Sequence, residues 1–379
     1  MYATIFYEPY GVCCGILPFN WPPIHTGGKL APALAAGNTM ILKPGEQAPL
    51  TMIRIVEILQ TVLPQDVVQF VPGLKTDPEV PQALVTHPLV KMVSFTGSTT
   101  AGAAVAKSAS ATITPVVLEL GGKNPYIVFE DADFDLAVRD ALDGAFFNKG
   151  EACTATSRLL VHRSLYDKFV TKLAAGVKCI KSGSGMDPKT HVGPQVSRDQ
   201  QKRILDYIEL GKKEGARLVA QAQLPSEQEC KEGFFAPSTL FADVKPEMRI
   251  FKEEMFGTIV TVTPFDTFDE VMGLANSSDY GLTAVIYTKD TLKANRAVRA
   301  IDSGMVWVNN YNRNMLGTPF GGAKHSGYGR EHSIETLKEW CCPKTVHHPS
   351  GLGEIPKWRG IKDIFGESGS DAVGEVNGA

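Results

Sequence analysis

The chain has 379 residues, a length that suits two domains or one domain built of two lobes rather than a single small core. Its 38 lysine and arginine residues against 41 acidic residues give a net charge of −3, so charge offers no case for a nucleic-acid partner. No apolar run is long enough to cross a membrane, and the N-terminus lacks the pattern of a signal peptide. We therefore expect a cytoplasmic protein without a membrane partner.

Short β-branched runs in the first third of the chain predict strands, and helical stretches lie between them. The runs are apolar without polar alternation, which is typical of strands buried on both faces. Alternating strands and helices predict a parallel sheet with helices on both faces, an architecture common in nucleotide-binding proteins. The predicted strands are residues 12–17, 39–42, 67–71, 90–95 and 115–120, and the predicted helices include 50–63 and 99–108.

The alternation continues after Asn124 with longer helices. Two glycines, Gly121 and Gly122, end a strand, and we place a boundary between two lobes there. A segment over residues 336–346 is predicted to end in a short strand. The predicted helices of this half are residues 134–147, 165–180 and 199–213, and the predicted strands are 157–161, 284–288 and 305–309.

The seven cysteines are scattered, odd in number and form no CxxC pair. This pattern is untypical of a disulfide framework or a zinc site, so we expect a reducing compartment and no metal. Most free cysteines are buried as small apolar side chains. Cys153 follows a predicted helix and Gly150, and it is either such a buried cysteine or a reactive thiol with access and a lowered pKa.

Glu119 lies at the end of an apolar predicted strand, before two glycines. The carboxyl ends of strands in open parallel sheets are where ligands bind. Two interpretations follow from the residues alone. Glu119 forms a salt bridge, for instance with Lys123, or it is a general base whose pKa burial raises toward neutrality.

Other polar residues follow predicted strands. In the segment Leu17-Pro18-Phe19-Asn20-Trp21-Pro22, two prolines fix the loop, and the Asn20 side chain is either a turn residue or a donor to a developing oxyanion. Lys43 ends a strand and Glu46 lies one turn further on. These two residues suit the hydroxyls of a ribose, and the alternative is a surface ion pair.

The segment Phe95-Thr96-Gly97-Ser98-Thr99-Thr100-Ala101-Gly102 runs from a predicted strand into a predicted helix. A glycine followed by hydroxyls at a helix N-terminus suits a phosphate or pyrophosphate, and it equally suits a helix N-cap. The segment contains neither a GxGxxG fingerprint nor the GK[ST] of a P-loop. The candidate contacts are Gly97, Ser98, Thr99 and Gly102.

In this order the segments resemble the aldehyde dehydrogenase superfamily, from about Glu8 to Val346. The resemblance implies an α/β fold with a Rossmann-like parallel-sheet cofactor lobe and an α/β catalytic lobe. The motifs that carry it are LELGGKNP around Glu119, FFNKGEACTATS around Cys153, PFN at Asn20, LAPALAAGNT, KPGE, FTGST, EEMFG and PFGGAKHSG.

The resemblance implies an enzyme that oxidises an aldehyde to a carboxylic acid with NAD, NADP being possible. It implies that Cys153 is the nucleophile, that Glu119 activates the hydrolytic water, and that Asn20 forms the oxyanion hole with the backbone N–H of Cys153. Glu119 argues for hydrolysis against transfer of the acyl group to coenzyme A. The implied cofactor contacts are Lys43 and Glu46 at the adenosine ribose, Gly97 and Ser98 at the pyrophosphate, and Glu254 and Phe256 at the nicotinamide ribose and ring.

The chain departs from the family pattern before the segment Glu8-Pro9, where family chains carry a long further segment. The missing part would include helices that flank the cofactor sheet and a strand of the arm that bridges subunits of a homo-oligomer. Pro343 in the remaining bridging strand removes a ladder donor. We therefore expect poor solubility or abnormal assembly of this chain on its own, and a truncated inactive homologue, at most a binding protein, is the alternative function.

These considerations predict five segments along the chain. They are a remnant of the bridging arm (1–10), an NAD-binding domain (11–121), a catalytic domain (122–325), a C-terminal return with a bridging strand (326–349) and a disordered or loosely docked tail (350–379).

Overall fold

The computed structural model of the chain describes residues 2–74, 77–315 and 317–349. The tail predicted over residues 350–379 lies outside the described residues. Residues 9–341 form one compact unit, and the two terminal segments form a second.

Strands and helices alternate along most of the described chain. The strands are β1 (Tyr2–Pro9), β2 (Val12–Ile16), β3 (Thr39–Lys43), β4 (Val68–Phe70), β5 (Val90–Thr96), β6 (Val116–Glu119), β7 (Pro125–Val128), β8 (Arg158–His162), β9 (Arg217–Gln221), β10 (Thr239–Ala242), β11 (Ile259–Phe265), β12 (Tyr280–Gly281), β13 (Thr283–Tyr287), β14 (Met305–Val308), β15 (Ala323–Lys324), β16 (Gly327–Tyr328) and β17 (Cys341–His348). The α-helices are α1 (Pro22–Ala35), α2 (Leu50–Gln60), α3 (Glu79–Thr86), α4 (Thr99–Ser110), α5 (Phe134–Phe146), α6 (Arg163–Lys178), α7 (Arg198–Lys213), α8 (Arg249–Lys252), α9 (Phe268–Asn276), α10 (Thr291–Ala300) and α11 (Ile334–Glu339).

The first sheet has the strand order β16-β6-β5-β2-β3-β4. Strands β2 to β6 run parallel, and their ends lie within one residue of the strands that the sequence predicts. The short strand β16 pairs antiparallel with β6 and places Gly327 opposite Glu119. The predicted parallel sheet is confirmed, and the carboxyl end of β6 carries Glu119.

The second sheet has the order β14-β13-β7-β8-β11-β10-β9. Its strands are parallel except for the edge strand β9, which runs antiparallel to β10. The predicted strands of this half correspond to β8, β13 and β14, whereas β7, β9, β10 and β11 were not predicted. The chain passes from the first sheet to the second between Glu119 and Pro125, and it returns to the first sheet at β16.

Apolar side chains cover both faces of each sheet. In β2, successive residues point to opposite faces, so Cys13 and Cys14 belong to two different clusters of the core, and both are fully buried. Burial raises the pKa of both thiols to about 12. These two cysteines therefore act as small apolar core residues.

Helix α1 was not predicted, and the sequence analysis placed Pro22 in a loop with Pro18; in the structure, Pro22 and Pro23 begin the helix. They occupy its first positions, where a missing N–H costs nothing. The helix buries one face against the first sheet. Its buried residues are His25, Thr26, Lys29, Leu30 and Ala33.

The terminal unit contains a ribbon of two strands, β1 and β17. Tyr2 stacks on His348 with ring centroids 4.7 Å apart, and Lys344 forms an ion pair with Glu8. Pro343 lies within β17, and among the residues that the structure describes each strand of the ribbon pairs on one side only.

Candidate active site

A cavity of about 230 Å³ brings together residues from distant parts of the sequence. Five of the predicted site residues, Asn20, Glu119, Cys153, Glu254 and Phe256, line it. The predicted phosphate contacts Gly97 and Ser98 also belong to its wall, together with three residues that the sequence did not single out, His25, Gln200 and Arg203.

Cys153 reaches the cavity from a tight turn. Helix α5 ends at Phe146, and the following 3₁₀ turn, Phe147–Gly150, contains Asn148 and Lys149 with φ of 47° and 54°. Gly150 follows with φ of 71°, and a side chain there would collide with the carbonyl oxygen of Gly257. The turn therefore requires glycine at this position, and it leaves Cys153 partly accessible.

The thiol of Cys153 is protonated at neutral pH. Burial raises its pKa to about 12, with further contributions from the charges of Glu119 and Glu254, while the backbone N–H groups of Cys153 and Thr154 act in the opposite direction. The lowered pKa that the sequence analysis offered for a reactive Cys153 is therefore wrong for the isolated chain. A base must take the thiol proton during nucleophilic attack.

Asn20 is held in place by backbone groups of the cysteine turn. Its side-chain Nδ2 donates to the carbonyl oxygen of Glu151 at 3.1 Å, and Asn148 Nδ2 donates to the carbonyl oxygen of Asn20 at 3.2 Å. Asn124 Nδ2 donates to the carbonyl oxygen of Cys153 at 2.7 Å. The turn that carries Cys153 thus also fixes the position of the Asn20 side-chain amide.

Glu119 is buried, and neither of its carboxyl oxygens has a hydrogen-bond partner among residues 2–74, 77–315 and 317–349. The alternative of a salt bridge with Lys123 is wrong, since the buried Nζ of Lys123 has no hydrogen-bond partner in the described part of the chain, Glu119 included. Burial raises the pKa of Glu119 well above its usual value, and the charge of Glu331 raises it further. Glu119 therefore has the environment of a general base.

The glycine-rich loop before β16 forms a wall against Glu119. A Cβ atom on Gly321 would lie 2.8 Å from Oε1 of Glu119, so the loop approaches the carboxyl group closely. Ser326 Oγ donates to the carbonyl oxygen of Gly121 at 2.7 Å and fixes the loop to the end of the strand that carries Glu119.

Lys29 and Glu331 form a buried ion pair that the sequence analysis missed. Lys29 Nζ donates to Glu331 Oε1 at 2.6 Å and to Ser94 Oγ at 2.8 Å. The charge of Lys29 lowers the pKa of Glu119, against the effect of Glu331. A lysine on the apolar face of a helix was the available signal, but it required that α1 be recognised.

His25 lies one turn before Lys29 on α1 and lines the cavity. Its Nε2 is buried, and no described residue forms a hydrogen bond with it. Burial lowers the pKa of the imidazole to about 4, so the side chain is neutral at physiological pH.

Glu254 and Phe256 lie on a turn that packs against the two glycines after Glu119. Gly122 N–H donates to Glu254 Oε1 at 2.8 Å, and a side chain on Gly121 would collide with the same carboxyl group. Burial raises the pKa of Glu254 to about 7. The Phe256 ring packs edge-to-face on Phe19 with centroids 5.9 Å apart.

The predicted ribose contacts lie outside the lining of this cavity. Lys43 Nζ donates to the carbonyl oxygen of Pro44 at 3.1 Å. Burial lowers the pKa of Lys43, and the charge of Glu46 opposes this shift. The two residues are therefore electrostatic neighbours at the end of β3.

The glycine and hydroxyl segment begins helix α4. Ser98 is its N-cap and accepts from the backbone N–H of Ala101 at 3.3 Å, which confirms the N-cap interpretation. Thr99 Oγ1 donates to the carbonyl oxygen of His325 at 3.2 Å. Gly102 is buried against Leu120, where a side chain would collide, so it serves close packing of the helix on the sheet.

Within residues 2–74, 77–315 and 317–349, no group of three or more His, Cys, Asp or Glu side chains is arranged to hold a metal ion. In the same part of the chain, no helix is both long and apolar enough to cross a membrane.

Comparisons with known proteins identify the family of the chain. The model of the aldehyde dehydrogenase family matches residues 1–346. An aldehyde dehydrogenase of Monascus ruber is 60% identical over 96% of this chain and 72% of its own length. Retinaldehyde dehydrogenase 3 of Mus musculus is 45% identical over 90% of this chain and 66% of its own length.

Solved structures show the same fold. The crystal structure of betaine aldehyde dehydrogenase from Staphylococcus aureus in complex with NAD+ has a TM-score of 0.88 and 40% identity, covering 91% of this chain and 68% of that one. An NAD+ complex of aldehyde dehydrogenase from Bacillus cereus has a TM-score of 0.87 at 40% identity, covering 91% of this chain and 69% of that one. With the family model matched over most of its length, the chain belongs to the aldehyde dehydrogenase family.

Proposed function

We propose that this chain oxidises an aldehyde to a carboxylic acid with NAD, through a thioester on Cys153 that is hydrolysed with Glu119 as base. The observation that carries the proposal is the shared cavity of Cys153, Asn20 and Glu119, in which the Glu119 carboxyl has no protein partner. A buried carboxyl without a partner suits proton transfer to and from a bound reactant. The proposal covers aldehydes as a class, because the relatives are named for different aldehydes.

The residues present fit NAD as the cofactor. Thr96 Oγ1 lines the cavity and is buried without a partner, and the glycines at 97 and 121 allow close approach to the backbone. Glu254 presents a carboxyl group to the same cavity, which suits the hydroxyls of the nicotinamide ribose, and Phe256 suits its ring. Gly97 and Ser98 would hold the pyrophosphate at the start of α4. Bound NAD accepts the hydride of the aldehyde.

The first step joins the sulfur of Cys153 to the aldehyde carbon. The thiol proton passes to Glu119, whose raised pKa makes it a competent acceptor. The Asn20 Nδ2 group and the backbone N–H of Cys153 donate to the resulting oxyanion. One such donor typically contributes about 3 kcal/mol to stabilisation of the transition state.

The second half of the reaction returns Cys153 to its starting state. When the oxyanion collapses, the hydride leaves the carbon and the carbonyl reforms as a thioester on Cys153. Glu119 releases the thiol proton to solvent and then takes a proton from water, whose oxygen attacks the thioester carbon. The carbon–sulfur bond breaks, the acid leaves, and the proton on Glu119 passes to the sulfur, which restores the Cys153 thiol.

NAD is the preferred cofactor in this proposal. A carboxylate at Glu46 accepts a hydrogen bond from a ribose 2′-hydroxyl and repels a 2′-phosphate. Lys43, its electrostatic neighbour, offsets part of that repulsion. The proposal also includes a cytoplasmic location, which the seven free cysteines support.

The test is a panel of aldehydes assayed by NADH absorbance with the wild-type chain and two cysteine variants. Cys153→Ala is expected to lose more than a hundredfold in kcat while its NAD affinity is retained. Cys179→Ala, which removes an exposed cysteine, is the matched control and is expected to keep full activity. The same assay with NADP is expected to give a lower kcat/KM.

Two results would contradict the proposal. Activity of Cys153→Ala above a few per cent of wild type would exclude Cys153 as the nucleophile. A wild-type chain that folds but oxidises none of the aldehydes, with a Tm that NAD does not change, would favour the binding-protein alternative.

A further inference from the structure

The turn from Glu253 to Gly257 carries both residues that we assign to the nicotinamide end of the cofactor. Phe256 has φ of 56°, in the left-handed region that non-glycine residues rarely adopt. Such a conformation persists only where surrounding contacts hold it. The contacts that hold this turn therefore determine where Glu254 and Phe256 point.

Helix α7 supplies these contacts from one of its faces. Arg203 Nη2 donates to the carbonyl oxygen of Glu254 at 2.6 Å, and its Nε donates to the carbonyl oxygen of Met255 at 3.3 Å. Gln200, three residues earlier, donates through Nε2 to the carbonyl oxygen of Phe256 at 2.6 Å. The three successive carbonyl groups of the turn thus accept from two side chains of α7.

Two further contacts hold Arg203 itself. Its guanidinium packs over the ring of Tyr207 at 5.2 Å from the centroid, and the Tyr207 hydroxyl donates to Glu253 Oε2 at 2.7 Å. Arg249 bonds to the same Glu253 carboxylate. Arg203 lines the cavity that contains Cys153, and it also lines an outer groove along α7. Its side chain therefore lies between the cavity and the groove.

The charge of Arg203 acts on Glu254 as well. Burial raises the pKa of the Glu254 carboxyl to about 7, and the Gly122 N–H, Arg203 and Lys123 act against that rise. Cys153 and Tyr280 are the other titratable groups on which the Glu254 charge acts. Removal of the Arg203 charge would raise the pKa of Glu254 further.

We propose that Arg203 is a positioning residue for the cofactor, which holds the turn so that the Glu254 carboxylate and the Phe256 ring face the nicotinamide end of NAD. Arg203 is not a catalytic residue in this proposal, since it acts through the turn. The inference rests on the proposed function only in taking NAD as the ligand. A purely structural role would make Arg203 important for folding and leave the pH dependence of NAD binding unchanged.

The experiment measures NAD affinity without aldehyde, by calorimetry on the full chain between pH 6 and pH 9. Arg203→Met removes the hydrogen-bond donors and the positive charge. Arg203→Lys keeps the charge but lacks the planar guanidinium that donates to two carbonyl groups at once. Lys202→Met is the matched control on the same helix, because its ammonium forms an exposed ion pair with Asp206. Melting temperature is recorded for every variant.

In the wild-type chain, NAD affinity is expected to fall as pH drops through about 7, because a protonated Glu254 carboxyl is a weaker acceptor for the ribose hydroxyls than the carboxylate. Arg203→Met is expected to weaken NAD binding at least tenfold at pH 7.5 and to move this fall to higher pH. Arg203→Lys is expected to have intermediate affinity with the wild-type pH midpoint. Lys202→Met is expected to match wild type throughout.

Two results would overturn the inference alone. The first is wild-type NAD affinity in Arg203→Met. The second is a combination of three observations. Arg203→Met binds NAD more weakly, its pH midpoint is unchanged, and both Arg203 variants have a much lower melting temperature; together these would show that Arg203 serves folding only. Failure of the wild-type chain to bind NAD at any pH would instead overturn the cofactor assignment and the inference together, so the two failures are distinguishable.

Discussion

Glu119 and Cys153 line the same buried cavity, and the Cys153 thiol must lose its proton there when it attacks the aldehyde. The thiol pKa of about 12 and the raised carboxyl pKa mean that both groups hold protons more tightly than they do in water. A charge on either group raises the cost of a charge on the other. Transfer of the thiol proton to Glu119 leaves one negative charge in the cavity. After the attack this charge lies on the oxyanion, where the two hydrogen-bond donors stabilise it.

Replacement of Glu119 by glutamine tests the assigned base. Glu119→Gln keeps the side-chain shape but cannot accept a proton, so we expect slow formation of about one NADH per site and almost no steady turnover afterwards. Stopped-flow absorbance after mixing with aldehyde and NAD measures both phases. Steady turnover equal to wild type would exclude Glu119 as the deacylating base.

The same variant has a predictable effect on stability. The folded-state pKa of Glu119 is raised, so the carboxyl contributes stability that is full below its unfolded pKa of about 4.3 and is lost as pH rises through the folded value. Glu119→Gln removes this dependence. We expect its melting temperature to equal that of wild type near pH 4 and to exceed it increasingly toward pH 8, by calorimetry. A variant less stable than wild type at pH 8 would contradict the assigned shift.

Sequence motifs predicted which residues line the cavity, but they did not predict the direction in which the pKa of the Cys153 thiol shifts. Cys153, Asn20, Glu254 and Phe256 lie on loops and Glu119 at the end of β6, all within distinctive local sequence, and all five line one cavity. The pKa of a thiol depends on charges and burial contributed by remote segments, so local sequence could not give its direction. Partners such as Glu331, 302 positions from Lys29, become visible only in three dimensions.

At the scale of elements, the first sheet could be predicted because its strands are continuous apolar runs between turn residues. Helix α1 could not, because Pro22, Pro23 and Pro32 together with Gly27 and Gly28 obscure its helical pattern. The two-residue strands β15 and β16 are equally hidden, since pairing and not local propensity defines them. These elements nevertheless matter for the site, because α1 carries Lys29 and β16 fixes the loop over Glu119.

The Lys29–Glu331 ion pair links α1 to the segment after β16. Both side chains are almost fully buried, and N and O lie 2.6 Å apart. Lys29→Met would leave an unpaired buried carboxylate, so we expect a loss of about 3–5 kcal/mol in the free energy of unfolding, by urea titration. In the double variant Lys29→Met/Glu331→Leu, both charges are gone, and most of that loss should be recovered. A double variant as unstable as the single one would show that packing and not charge dominates.

At the scale of the whole molecule, the terminal ribbon of β1 and β17 has features that favour association between copies of the chain. Tyr2, Ile5, Phe6 and Tyr7 are each at least half exposed on β1. A two-stranded ribbon is marginal in water unless it packs against something, and an exposed apolar edge promotes association. We propose that the ribbon formed by β1 and β17 joins copies of this chain. The expected difficulty of assembly stays a prediction.

The test separates the two faces of β1, because side chains two residues apart in a strand lie on the same face. Ile5→Lys/Tyr7→Lys alters one face and Tyr2→Lys/Phe6→Lys the other, while Met186→Lys/Leu292→Lys adds the same charge at exposed apolar sites outside the ribbon. We expect wild type and the control to elute as oligomers or aggregates, and at least one ribbon variant to approach the monomer mass of 41.0 kDa in light scattering after size exclusion. Charged side chains on an interface face must be desolvated on association, which disfavours the contact. A monomeric wild type, or masses unchanged by both ribbon variants, would show that the ribbon does not join the chains.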